Sequence, residues 1–231
     1  MNLSTLMKFL AIGEVSNLYV SDKETGTIAE NWKEPIRLFI QEALNKLYGQ
    51  YRLKTDSIYI DLVAGKTQYK ISSKHLMGDR EYPDYEHYLY KPQNKIFDDD
   101  ILNILEIVDS KGCKLPINSP EKNSVYTLTY NEIQIPDIDP RLELEVIYSA
   151  RHPTLSLEED SEIELPESLI PAIRAYVAYL VHSNINTELS VANAQKYLAQ
   201  FNAILKSSLD AGIIIDPKDE SNEKFDNRGF I

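Results

Sequence analysis

Apolar residues recur at helical spacing at both ends of the chain and at every second position through its middle. Leu3, Leu6, Met7 and Leu10 predict a short first helix that Gly13 ends. Residues 16–26 read as a loop with a polar turn over Asp22–Gly26. A strong amphipathic helix follows, from Ala29 to Leu53. Its apolar face is Trp32, Ile36, Phe39, Ile40, Ala43, Leu47 and Tyr51, and Pro35 is tolerated near its start.

From Ser57 the period changes to two. Ile58, Ile60 and Leu62 alternate with Tyr59 and Asp61, and Ala64-Gly65-Lys66 turns the chain into Gln68–Ile71, which predicts a hairpin. Further strands are predicted at Ile101–Val108, Cys113–Ile117, Val125–Tyr130 and Glu132–Ile135. The cleanest alternation is Leu142, Leu144, Val146 and Tyr148 against Glu143 and Glu145. Between these strands, residues 72–100 form a polar, tyrosine-rich excursion that includes Pro83, Pro92 and the run Asp98-Asp99-Asp100, and Pro136–Pro140 reads as a rigid turn.

The helical period returns at Leu165. Leu169, Ile170, Ile173, Val177, Leu180 and Val181 make one apolar stripe, and Pro166 suits a first turn, where a missing N–H costs nothing. Glu162, Glu164 and Glu167 place negative charge at the positive end of that helix dipole. Asn184 and Asn186 interrupt the pattern. Thr187 or Ser190 can cap a second helix carrying Leu198, Phe201, Leu205 and Leu209 until Gly212 stops it. A helical pair with one stripe per arm cannot bury both stripes alone, and the helix before Leu53 supplies the third. The expected fold is therefore α+β: an antiparallel helix bundle made of N-terminal helices (1–56) and a C-terminal helical pair (165–212), with an inserted β-rich domain (57–164) and a C-terminal arm (213–231).

Charge narrows the function. The 231 residues carry 24 basic and 36 acidic groups, a net charge of −12, and such a chain does not grip nucleic acid by phosphate neutralisation. One cysteine, Cys113, excludes an intrachain disulfide and a cysteine-based zinc site, and its place in a predicted strand suggests a small packing group. The first residues lack the features of a signal peptide, and no apolar run approaches the ~20 residues of a membrane span. The four histidines, His75, His87, His152 and His182, stand at no metal-ligand spacing, and His182 near a helix end would suit the dipole as a cation. Asp98-Asp99-Asp100 and Glu158-Glu159-Asp160 lack the alternating ligands and glycine of a calcium loop. No phosphate-cradling loop or nucleophile elbow occurs. No catalytic, cofactor or metal site is expected.

Two segments stand out as candidate partner-binding surfaces. Tyr82, Tyr85, Tyr88 and Tyr90 are packed into nine residues; they either prop the loop against its own domain or form an interface, where tyrosine offers large area at low entropy cost. Beyond Gly212, Ile213, Ile214 and Ile215 have strand propensity, a polar stretch cannot fold by its own burial, and Phe230 and Ile231 return apolar groups. This arm is expected to be mobile in an isolated protomer and ordered on a partner.

The stretch ILNILEIVDSKGCKLPI, followed by LELEVIYSARHPTLSLEEDSEIELPESLIPAIRAYVAYLVHS, resembles the head–tail connector adaptors of short-tailed phages, the portal-adaptor ring proteins also called tail tubular protein A-like. The correspondence lies in a strand ending in Tyr148, a loop with Pro153, an acidic approach with Asp160 and Glu162, Leu165-Pro166 at a helix start, and Tyr176 and Ala178 on the helix. The strand and turn Ile104–Gly112 match as well. Two parts depart from it: the long excursion 72–100 and the tail after Gly212. The low-Gly, Lys/Asn/Ile/Tyr-rich composition also suits a ring protein of a crAss-like phage. The resemblance implies a structural virion protein at the head–tail junction, synthesised in the host cytoplasm. It would form a homo-oligomeric, twelvefold ring below the portal, contact portal and neighbouring tail or ring proteins, and let DNA pass through its channel without cofactor or membrane. Read from the residues alone, a virion-associated hydrolase using Glu158, Glu159 and Asp160, and a protein-binding module unrelated to phage, stay open.

Overall fold

A computed structural model describes residues 1–22, 24–78, 84–91, 97–136, 143–185 and 187–214. The chain is α+β, and it divides into two compact units: Met1–Leu53 together with His152–Ile231, and Lys54–Arg151.

The helical unit holds α1 (Leu3–Ile12), α2 (Glu30–Gln50), α3 (Ile170–Ser183) and α4 (Glu188–Asp210), with a two-stranded ladder, β1 (Ser21–Asp22) and β2 (Thr27–Ile28), in what reads from sequence as plain loop. Helix α3 is the central piece. It packs against both α2 and α4, and Leu169, Ala172, Ile173, Val177, Ala178 and Val181 are buried. Its alanines let neighbours approach closely, while Ile36, Ile40, Leu44 and Leu47 of α2 and Phe201 and Leu205 of α4 fill the rest. The predicted break near Asn184 is present: Asn184 caps α3, and the Thr187 hydroxyl accepts from the Ser190 N–H to start α4. Gly212, at φ +67°, follows its end.

Two helix boundaries differ from expectation. Helix α2 stops at Gln50, with Tyr51 already extended, and Leu44 and Tyr48 share its buried face. Pro166 precedes a single 3₁₀ turn, Glu167–Leu169, and the proline in the first α-helical turn is Pro171. The sequence does not separate the two because both prolines stand where a helix can begin.

Residues 152–164 have no helix, yet they lace the helical unit together. Leu3 N–H donates to Ser161 O (3.0 Å) and Ile163 N–H to Met1 O (2.8 Å). Gln41 Oε1 accepts from Leu155 N–H (2.8 Å), and Arg37 donates to Leu155 O (3.1 Å). At the end of α1, a Cβ on Gly13 would come within 2.9 Å of the Phe9 carbonyl oxygen and 2.8 Å of Arg174 Nη2, which is ion-paired to Glu14 at 2.8 Å, so glycine avoids a clash with fixed backbone there.

The second unit is two antiparallel sheets sharing one core. The first has the order β5 (Leu89–Tyr90), β3 (Thr55–Asp61), β9 (Glu143–Ala150), β6 (Ile101–Asp109); the second is β4 (Gln68–Lys70), β8 (Glu132–Gln134), β7 (Tyr126–Thr129). The alternation in β9 emerges as expected, with Leu144, Val146 and Tyr148 fully buried. The hairpin expected at Ala64-Gly65-Lys66 does not form. Both edges of β3 are taken, by β9 over its whole length and by β5, so β4 pairs instead with β8, Tyr69 opposite Ile133. The turn itself is real: Gly65 has φ +82° and Lys66 N–H donates to Val63 O. Tyr69 pins this crossing by accepting from Val63 N–H at 2.8 Å.

The predicted strand Cys113–Ile117 is also absent. That segment makes only isolated bridges, Val108 to Lys114 and Ile117 to Val125, because Asp109 ties it into a turn by accepting from the N–H groups of Lys111 and Cys113. Cys113 is exposed, not the packed strand cysteine its setting suggests. The turn Pro136–Pro140 falls mostly outside the described residues.

Candidate partner-binding site

The tyrosine-rich loop starts with a 3₁₀ turn, Ser73–His75, and returns as β5 on the edge of β3. Between these, Met77 N–H donates to Leu89 O and Tyr88 N–H to His75 O, so the two limbs brace each other. Tyr88 is a core residue, 1% exposed, which removes it from any partner surface. Its ring meets Tyr69 edge-on at 5.2 Å and stacks on His75 at 4.7 Å, and Lys66 Nζ lies 4.6 Å above it. Its hydroxyl accepts from Lys70 N–H (3.0 Å) and donates to Lys70 O (2.9 Å). A buried ring with a satisfied hydroxyl is structural, and burial pushes its pKa up to about 12.

Tyr90 stacks on Tyr59 at 5.2 Å and donates to the Glu143 carboxylate. Burial, with Asp61 and Glu145 nearby, raises the pKa of Glu143. Tyr85 is different: it is 43% exposed, meets His75 edge-on at 5.6 Å, and has Lys74 Nζ 5.4 Å from its ring. Tyr82 lies outside the described residues. Of the four tyrosines, then, two are held by the domain itself and Tyr85 faces solvent.

The isoleucine run divides in the same way. Ile213 is 45% exposed, but Ile214 is 3% exposed and its N–H, like that of Ile213, points at Ser208 O. Gly212 therefore turns the chain back onto α4 and does not release it at that point. Ile215, Phe230 and Ile231, and with them the expected mobility of the arm, lie outside the described residues.

Of the acidic run Glu158-Glu159-Asp160, Asp160 is absorbed locally. Asp160, at φ +46°, caps α1: Oδ1 accepts from Ser4 N–H (2.8 Å), and Oδ2 from Ser4 Oγ and Asn2 Nδ2. Those bonds hold its carboxyl below the usual range. Asp160 is committed to a helix terminus. Among the described residues no group of three or more His, Cys, Asp or Glu is placed to hold a metal ion. His152 is buried; its Nε2 accepts from Glu164 N–H, which leaves Nδ1 to donate to Pro153 O. His182 is buried as well, stacked on Tyr197 at 5.4 Å, and Nδ1 has no partner. Desolvation lowers its pKa, so it is neutral in the fold and not the dipole-stabilised cation expected from its position.

One concavity was not foreseen. A groove of about 470 Å³ between α1, β2 and α2 is lined by Leu3, Met7, Ile28 and Leu157 together with Lys8 and Lys33. Its residues are scattered over four segments, so no local motif announces it. Among the described residues no helix is long and apolar enough to cross a membrane.

These features define the class first: an α+β protein that exposes Tyr85 and Ile213 and, among the described residues, gathers no group of three or more His, Cys, Asp or Glu placed to hold a metal ion. The chain belongs to the SU10 adaptor protein family, whose model matches residues 1–217, and it is a phage structural adaptor protein. That family is a structural class and not an enzyme class. No curated protein matches the chain.

Proposed function

We propose that the protein is a head–tail adaptor of a short-tailed phage, a subunit of a twelvefold ring that sits below the portal, joins capsid to tail and surrounds the DNA channel. The family match over residues 1–217 carries this reading. Net charge supports it: at −12 the subunit offers no general affinity for phosphate, which suits a conduit that DNA must slide through. The partners are the portal on one side and tail or ring proteins on the other, reached through Tyr85, Ile213 and the chain beyond Ile214. Tyr82, Ile215, Phe230 and Ile231 belong to the same proposed contacts. Because Ile214 is buried, the arm begins after it. A chain ending at Ile215 is expected to keep its melting temperature while losing capture by its portal in a pull-down. Capture equal to that of the full chain would refute the arm. For the ring, native mass spectrometry of the full chain with the portal should give a discrete twelve-copy species, and a mass for bound monomers only would refute it.

A further inference from the structure

The outward faces of α2 and α4 match each other. On α2, Leu38 is 52% exposed and sits one turn from Glu34 and one turn from Glu42. Each of the three cations of that helix is engaged: Lys33, with its side chain 42% exposed, pairs with Glu30 at 2.5 Å, the Arg37 side chain is 14% exposed and ion-paired to Glu34, and Lys46 covers the Tyr176 ring. Tyr176 also donates to Glu42 (3.3 Å), which leaves the Glu42 charge in place. The Glu34 side chain stays 58% exposed while it holds Arg37, so the solvent side of α2 presents carboxylate, leucine, carboxylate.

Helix α4 presents the opposite pattern. Leu189, Ala192, Lys196, Ala199, Ala203 and Lys206 fall at alternating spacings of three and four along its exposed side, and Leu189 is 74% exposed. Among the described residues neither lysine has an ion-pair partner. At 1.5 Å per residue the two acids on α2 are about 12 Å apart and the two lysines on α4 about 15 Å apart. Leu38 lies midway between the acids, and Ala199 and Ala203 flank the midpoint between the lysines. Leucine opposite alanine with charges paired at both ends is a complementary helix–helix contact. The two faces cannot meet within one subunit, because α2 and α4 each pack their other side against α3.

We propose that the α2 face of one copy seats on the α4 face of a second copy. The contact joins different surfaces, so it is heterologous and propagates head to tail, as a ring requires. It rests on the adaptor-ring reading and names the lateral surfaces of that ring.

The test uses full-length chains with the exposed Cys113 replaced, Cys113→Ser. One chain carries Leu38→Cys and the other Ala199→Cys, and the two are mixed, treated with a short bismaleimide and run on a denaturing gel. The mixture should give crosslinked dimer in roughly tenfold excess over either chain alone, because a heterologous contact places unlike sites together. Equal yields in all three samples would overturn the pairing. Adding Lys196→Glu and Lys206→Glu, both exposed, should cut the yield several-fold at unchanged melting temperature, and an unchanged yield would also overturn it. Micrographs of the chain with its portal separate the two ideas. Rings without the mixed product reject this pairing alone; mixed product without rings rejects the ring and keeps the pairing.

Discussion

The two compact units bury tyrosine in different ways. In the β unit Tyr69, Tyr88 and Tyr148 are among the largest fully buried side chains, and each hydroxyl is bonded: Tyr69 and Tyr88 to main chain, Tyr148 to Asp100 at 3.2 Å and Lys91 at 3.2 Å. In the helical unit the fully buried residues are mostly Leu, Ile, Val and Ala with Phe201, and its buried tyrosines, Tyr48 and Tyr176, are 3% and 8% exposed. Strand length accounts for Tyr69 and Tyr88, which lie on or beside the short strands β4 and β5, whereas Tyr148 lies on the eight-residue β9. Helices satisfy their own backbones, so aliphatic packing suffices. Strands of two to four residues, such as β4, β5 and β8, bring little area and leave backbone groups unpaired, and a tyrosine supplies both a ring and a hydrogen bond across the gap.

If that contrast is right, truncation should hurt most in the helical core. Phe201, 1% exposed and 4.9 Å from the Tyr176 ring, should lose ~3–5 kcal/mol on conversion to alanine, measured by urea unfolding. In the β unit removing one oxygen should be enough. Tyr148→Phe strips a hydroxyl that sits between a carboxylate and a buried lysine, Lys91, itself paired with Asp56 at 2.7 Å. A loss of ~1.5–3 kcal/mol is expected, the range for hydrogen bonds to charged groups. An unchanged midpoint would mean that the ring alone matters.

A smaller effect comes from His182. Its folded pKa is lowered by burial, so the unfolded chain takes up the proton first. Its contribution is whole above the unfolded value of about 6.5 and is lost as pH falls from there toward the folded value. His182→Phe should flatten the fall in melting temperature below pH 6.5, and an unaltered slope would contradict the neutral, buried assignment. Asp160 should matter least. Its lowered pKa means that the stability it adds is present above the unfolded value of about 3.9 and disappears as pH falls through the folded one. Asp160→Ala should lower the melting temperature slightly at pH 7 and leave it unaltered near pH 2. A Glu159→Gln chain should differ from the parent in neither stability nor any hydrolytic assay.

Much of this was legible in the sequence. Helix periodicity gave α1, α3, α4 and most of α2, and strict alternation gave β9, because burial on one side imprints a period that a linear chain must show. Pairing was less legible. Ile58–Leu62 and Gln68–Ile71 look like hairpin arms, and only the competition from β9 and β5 separates them. The tyrosine loop is the sharper case. Tyr85 and Tyr88 are three residues apart with the same chemistry, and one is exposed while the other lies beneath Lys66 against His75. No local signal distinguishes them, since the difference is made by Lys70 and Tyr69 from another sheet. The outward face of α2 is hard to see in the sequence, because Leu38 stands in the run Ile36-Arg37-Leu38-Phe39-Ile40 and only its helical neighbours Glu34 and Glu42 set it off the apolar stripe.

The central claim, an adaptor ring seated on a portal, meets its most direct test in electron microscopy of the full-length protein mixed with the portal of its own phage. The account predicts closed rings of twelve copies, coaxial with the portal and open at the centre. Portal particles that stay bare, or that carry scattered single copies without a closed ring, would contradict it.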